Sequence, residues 1–228
     1  MNFSLKKAVI HATFALTIAY APLANAIVAA DGIYYSLLLG GAYSPSITSS
    51  AFTTLPAPVV QPVNALKFKP GFTLSGEMGV KYGSPRLGVQ FFWGQMAHRY
   101  FRNANTGTKT EVGGATTLLG GSVNAYLDFD FIAHQMDADE FIPYVGIGAG
   151  VTRVRTDFKV FTPKMITSES KHVFQAIAGF LYNADSYTSI GMEYRGYFTG
   201  DVAVFGKPMQ VHTVSIVITN HTDGWFFD

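Results

Sequence analysis

Alternation with a period of two dominates the chain from residue 33 onward. It is clearest in F-T-L-S-G-E-M-G-V-K-Y at 72–82. Thr73, Ser75, Glu77, Gly79 and Lys81 fall on one face; Phe72, Leu74, Gly76, Met78, Val80 and Tyr82 fall on the other. Successive side chains of a strand point to opposite faces, so the segment predicts a strand with one apolar side, aromatic at its ends, and one charged side. The same pattern predicts eight strands, at 33–43, 72–82, 86–96, 117–130, 144–153, 172–182, 187–198 and 211–220. The sixth alternates too weakly to set its facing. Each run has roughly 9–14 residues, near the 9–11 that a tilted strand needs to cross a bilayer and about twice the ordinary soluble strand.

Charge sorts sharply between the two faces. One face carries Glu77, Lys81, Arg86, Asp128, Glu193 and Arg195, three of each sign; the apolar face carries only Arg153, at a strand end where a long side chain can snorkel. A cation facing lipid at mid-membrane costs about 2–4 kcal/mol, so the sorting predicts apolar side chains toward lipid and paired charges in a barrel interior. The connections 44–70, 99–116, 155–171 and 199–210 are long, whereas 83–85 and 183–186 are short, with 131–141 between. Long loops at one end and tight turns at the other fit an outer-membrane barrel. The expected fold is all-β: an eight-stranded antiparallel up-and-down transmembrane barrel. Its narrow interior would be filled by side chains such as Tyr34, Phe92, Tyr126 and Tyr144. Tyr35, Tyr43, Phe72, Tyr82, Trp93, Phe129, Tyr194 and Phe198 fall mainly near strand ends and predict aromatic girdles.

The N-terminus supplies the compartment. Lys6 and Lys7, the apolar run 8–21 and Ala24-Asn25-Ala26 have the three-part order of a cleaved secretory signal, residues 1–26, ahead of a barrel domain at 27–228 with four long surface loops. Cleavage would remove two lysines and leave 14 basic against 15 acidic residues, with no basic surplus for nucleic acid. Charged residues make up 14% of the chain, low against the quarter or so that soluble surfaces carry. There is no cysteine, hence no disulfide and no lipidation of a mature N-terminal cysteine. No later segment offers about 18 consecutive apolar residues, so a membrane location requires a closed barrel. The expected location is the bacterial outer membrane, with the N-terminus periplasmic and the long loops extracellular.

The second half carries a resemblance. N-A-Y-L-D-F-D at 124–130, F-I-P-Y-V-G-I-G-A-G-V at 141–151, T-D-F at 156–158, F-Q-A-I-A-G-F at 174–180 and T-S-I-G-M-E-Y-R-G-Y at 188–197 resemble the outer-membrane surface-antigen and opacity-protein-like family. The resemblance implies an integral outer-membrane barrel displaying variable loops as an antigen, adhesin or minor porin. The chain departs from that pattern at its end. Family members finish on a terminal aromatic, whereas here Trp225-Phe226-Phe227 is followed by Asp228, which leaves the register of the last strand open.

Candidate chemistry is sparse. In Gly146-Ile147-Gly148-Ala149-Gly150 the glycines alternate within a strand, so they make room for bulky lumen neighbours rather than cradle a dinucleotide. Asp128, Asp130, His134, Asp137, Asp139 and Glu140 could hold a divalent cation, but their irregular spacing reads more simply as a solvated turn. His98, Arg99 and Arg102, with Tyr100 and Phe101, open a long loop and could contact lipopolysaccharide phosphates; an interfacial aromatic belt explains them as well. His212 and Ser215 are three positions apart on one strand and point to opposite faces, which removes them as a catalytic pair. The sequence therefore predicts a non-enzymatic surface antigen or adhesin-type protein without cofactor or metal. Its expected partners are outer-membrane lipid, lipopolysaccharide and host surface molecules met through the loops, and a monomer is favoured. A weak porin is the alternative, and a lipid-modifying enzyme a more distant one.

Overall fold

The computed structural model describes residues 31–49, 63–103, 105–129, 141–159, 165–185 and 187–223. The signal segment, the residues 130–140 that hold most of the acidic cluster, and the aromatic tail 224–228 lie outside them. Eight strands form a closed ring: β1 (Gly32–Tyr43), β4 (Gly71–Lys81), β5 (Pro85–Asn103), β7 (Gly114–Asp128), β8 (Phe141–Phe158), β9 (Met165–Asn183), β10 (Thr188–Val202) and β11 (Lys207–Asp223). Each pairs antiparallel with its neighbours, and β1 pairs with both β4 and β11, which closes the barrel and leaves the ring no free edge. Three short strands, β2 (Ile47–Thr48), β3 (Val63–Phe68) and β6 (Lys109–Glu111), build a small sheet on the upper part of β5. The described residues contain no helix.

The outer wall has the expected facing. Leu87, Val89 and Phe91 of β5 are exposed, with Phe91 at 72%, while Gln90 and Phe92 between and beyond them are buried. In β8, Ile147 is 71% exposed. Among the described residues no Lys, Arg, Asp or Glu faces outward within this band. Tyr35, Tyr82 and Tyr182 ring its edge at the tight-turn end, where the 82–85 turn places Gly83 at φ 62°. Tyr43, Phe72, Trp93, Tyr194 and Phe198 ring the other edge, and Phe72 packs edge-on against Trp93 at 4.9 Å. Strand six, whose facing the sequence left open, points Val173, Gln175, Ile177 and Leu181 inward and Phe174, Ala176, Ala178 and Tyr182 outward. Apolar residues on both faces erase the alternation.

Three of the segments expected as long loops are largely strand. β5 continues to Asn103, β8 to Phe158, and β9 begins at Met165; β10 and β11 close on a four-residue turn, 203–206. The fourth, 44–70, contributes β2 and β3. The sequence hides this because the polarity of the strands reverses. Below the upper girdle, apolar residues face out. Above it, Val154 and Phe158 of β8 face in while Arg153 and Arg155 face out, as on a soluble barrel. The inward apolar groups above the girdle gather Met96, Phe101, Leu118, Phe205, Met209 and others into one core, covered by Leu66 and Phe68 of β3. The barrel is therefore polar inside at membrane level and apolar inside at its upper end.

Candidate functional site

The lumen at membrane level is a connected polar network. Its largest side chains find space by a repeated cross-strand pairing: Tyr34 stands opposite Gly79, Tyr126 opposite Gly146 and Tyr144 opposite Gly179. A β-carbon on Gly146 would lie 2.6 Å from the Tyr126 ring, and one on Gly179 2.7 Å from that of Tyr144. The glycines of 146–150 thus admit the lumen residues of β7, with Gly148 set against Asn124.

Glu77 and Arg195 sit at the centre of the network. Tyr34 donates its hydroxyl to Glu77 Oε1 at 2.7 Å, and Tyr126 and Asn124 donate to Oε2 at 2.5 and 2.7 Å. Arg195 Nη2 lies 3.8 Å from Glu77 Oε2 and donates to the Tyr126 hydroxyl at 3.0 Å. Arg195 Nε donates to Glu193 Oε1 at 2.8 Å, and Nη1 donates to Gln175 Oε1 at 2.7 Å and also to Gln90 Oε1. Tyr144 completes the set with a 3.0 Å bond to Glu193 Oε2. A second cluster lies toward the tight turns. There Asp128 accepts from Arg86 Nε at 2.9 Å and pairs with Lys81 at 3.5 Å. The Arg86 guanidinium also lies 4.7–4.8 Å from the ring centres of Tyr126 and Tyr144. All six charges singled out in the sequence are buried and meet a partner of opposite sign. Buried charge is tolerable only when paired and hydrogen-bonded in this way.

The glutamines escaped the sequence reading. Gln90 and Gln175 both accept from Arg195, Gln90 donates to Ser75 at 3.0 Å, and Gln175 donates to Ser122 at 2.8 Å. Gln90 lies on the inward parity of β5 and was open to inference; Gln175 sits among apolar neighbours on the one strand of unclear facing. Above the network, Phe92, Met96, Leu118, Tyr197 and Val211 line a small apolar cavity with room for about one water. Polar network and apolar core together fill the bore.

The expected outer basic patch is divided. His98 is a correction: it faces inward, buried, with its Nε2 2.9 Å from Thr116 Oγ1 and its ring stacked on Phe158 at 4.8 Å, because strand β5 continues through it. It cannot reach lipid from there. Arg99 and Arg102 are exposed, Arg99 beside the Tyr100 ring at 5.7 Å and Arg102 opposite Lys109 in the β5–β6 register. They stand on paired strand, not on a loop. His212 lies on the outer wall, 2.7 Å from the Tyr194 hydroxyl, and Ser215 points into the lumen. Among the described residues no cluster of His, Cys, Asp and Glu has metal-binding geometry.

No protein-family model matches the chain, and no curated protein matches it in sequence. Solved structures do. Neisserial surface protein A superposes with a TM-score of 0.54 at 14% identity, covering 84% of this chain and all of that one. The outer-membrane protein OprG of Pseudomonas aeruginosa gives 0.52 at 10% identity, covering 87% of this chain and all of that one. Ail, the attachment invasion locus protein of Yersinia pestis, gives 0.43 at 15% identity, covering 83% and 98%. The first two show that the fold is that of small outer-membrane β-barrels.

Proposed function

We propose that this chain is a closed outer-membrane barrel that presents its taller end at the cell surface as an antigen or adhesin-type interaction platform. One observation carries the reading: a lipid-facing apolar band surrounds a bore filled by paired charges and, above them, an apolar core. Such a barrel is a rigid support rather than a conduit. Above the upper girdle the wall is polar outside, so several strands stand clear of the hydrocarbon and carry the exposed turns away from it. The same fold serves a protein described as a surface protein in Neisseria. In this reading Arg99 and Arg102, exposed on the outer face of this taller end, are among the cations that meet anionic groups of lipopolysaccharide or of a host molecule.

The experiment is cysteine labelling of intact cells at Thr106, in the turn after β5, and at Ser84, in the tight turn before it. Labelling of Thr106→Cys but not Ser84→Cys by an impermeant maleimide is the expected result; the reverse would invert the barrel. The porin alternative is tested in planar bilayers, where the filled bore should give no steady conductance and a reproducible open level would overturn the closed reading.

A further inference from the structure

Arg153 and Arg155 form an exposed pair on the outer face of β8, immediately above the apolar band. Val151, one outward position below Arg153, is 59% exposed, and Leu119, opposite Arg153, is also exposed. The remaining cross-strand neighbours are small: Thr117 opposite Arg155 on one side, and Ser168 and Ser170 opposite Arg155 and Arg153 on the other. Arg153 Nε donates to Ser168 Oγ at 2.7 Å, which draws its guanidinium toward the Arg155 rung. His172, opposite Val151, is exposed on the same wall. Among the described residues neither arginine pairs with a carboxylate, and Asp157, the next outward position, is half-buried.

Two like charges on one face of a strand, about 7 Å apart, repel unless an anion lies between them. The surface below them is apolar and exposed, and the hydroxyls beside them can donate to oxygen. We propose that Arg153 and Arg155 bind the phosphate of a phosphorylated glycolipid of the outer leaflet, of the lipid A class, with its acyl chains on Val151, Leu119 and Phe174. Guanidinium groups bind phosphate oxygens in a bidentate manner, which suits a headgroup held at a fixed height against the wall. The site rests on the reading that the taller end faces outward, since this glycolipid fills the outer leaflet.

The test uses the whole barrel in detergent micelles, titrated with bis-phosphorylated lipid A, dephosphorylated lipid A and phosphatidylglycerol, with bound lipid read by native mass spectrometry. Wild type should retain bis-phosphorylated lipid A preferentially. Arg153→Gln/Arg155→Gln should weaken it by at least about tenfold, whereas Lys67→Gln/Lys109→Gln, which removes the same charge on the small upper sheet, should stay within about twofold. Equal loss in both variants, or none in either, would overturn the site. Equal retention of phosphatidylglycerol would overturn the assignment to the glycolipid. If the arginine variant fails to show the heat-modifiable migration of a folded barrel, wild type alone decides: indifference to dephosphorylation sinks the proposal. Micelles have no sidedness, so an inverted labelling pattern in cells would refute the orientation without touching this result.

Discussion

Replacing Arg195 by Met should be among the most damaging single changes in the lumen. The side chain is buried and bonds to Glu193, Gln90, Gln175 and Tyr126, with Glu77 at 3.8 Å. Met fills similar space but leaves Glu193 without its cation and two glutamine oxygens each short of a donor. Breaking a buried ion pair costs about 3–5 kcal/mol, because the remaining charge stays out of water. In urea titrations of the barrel refolded into lipid vesicles, a loss of that size should lower the unfolding midpoint by about 2 M. Adding Glu193→Gln to the same chain removes the orphaned charge and should return part of the loss, on the order of 1–2 kcal/mol. A midpoint within about 0.3 M of wild type for Arg195→Met, or a double variant weaker than the single by the full cost of Glu193→Gln alone, would refute the claim that this network holds the interior together.

Two other perturbations probe separate parts of the account. Gly146→Val places a branched side chain where the Tyr126 ring lies, so it should displace that ring from Glu77 and destabilise the barrel by about 1–3 kcal/mol in the same titration; unchanged stability would mean that Tyr126 does not occupy the lumen as described. In the turn between β9 and β10, the backbone N–H groups of Tyr187 and Thr188 each donate to Asp185 at 2.7 Å and hold its carboxyl below the usual carboxylate range. A depressed carboxyl stabilises above its unfolded value and loses that effect as pH falls through the folded one. The stability gap between wild type and Asp185→Ala should therefore be constant near neutrality and close below about pH 4, whereas a gap independent of pH between 3 and 6 would contradict the turn geometry.

The membrane-level wall was legible because one rule governs it. Phe72, Leu74, Met78 and Val80 repeat every second residue with nothing on the opposite face to blur them, and the same parity places Glu77 and Lys81 in the lumen. The upper wall was not, because the rule inverts there. A reader following apolar-out alternation along β8 meets Arg153 and Arg155 on the lipid parity and ends the strand, although backbone pairing with β7 and β9 continues to Phe158. His98 was misplaced for the same reason. Pairings across distant strands, such as Gln90 and Gln175 on one guanidinium, depend on barrel closure, which no local pattern encodes.

An apolar outer band encircles a filled polar lumen and ends at the upper girdle, although the strands continue beyond it. This arrangement is tested most directly by single cysteines at positions 86 to 100 along β5, each labelled with a fluorophore and refolded into vesicles containing brominated lipid. Quenching should alternate, strong at Leu87, Val89 and Phe91 and weak at Gly88, Gln90 and Phe92, and should fade by Ala97 and Arg99 on the same outward parity. Strong quenching at Gln90, or alternation persisting undiminished through Arg99, would contradict it.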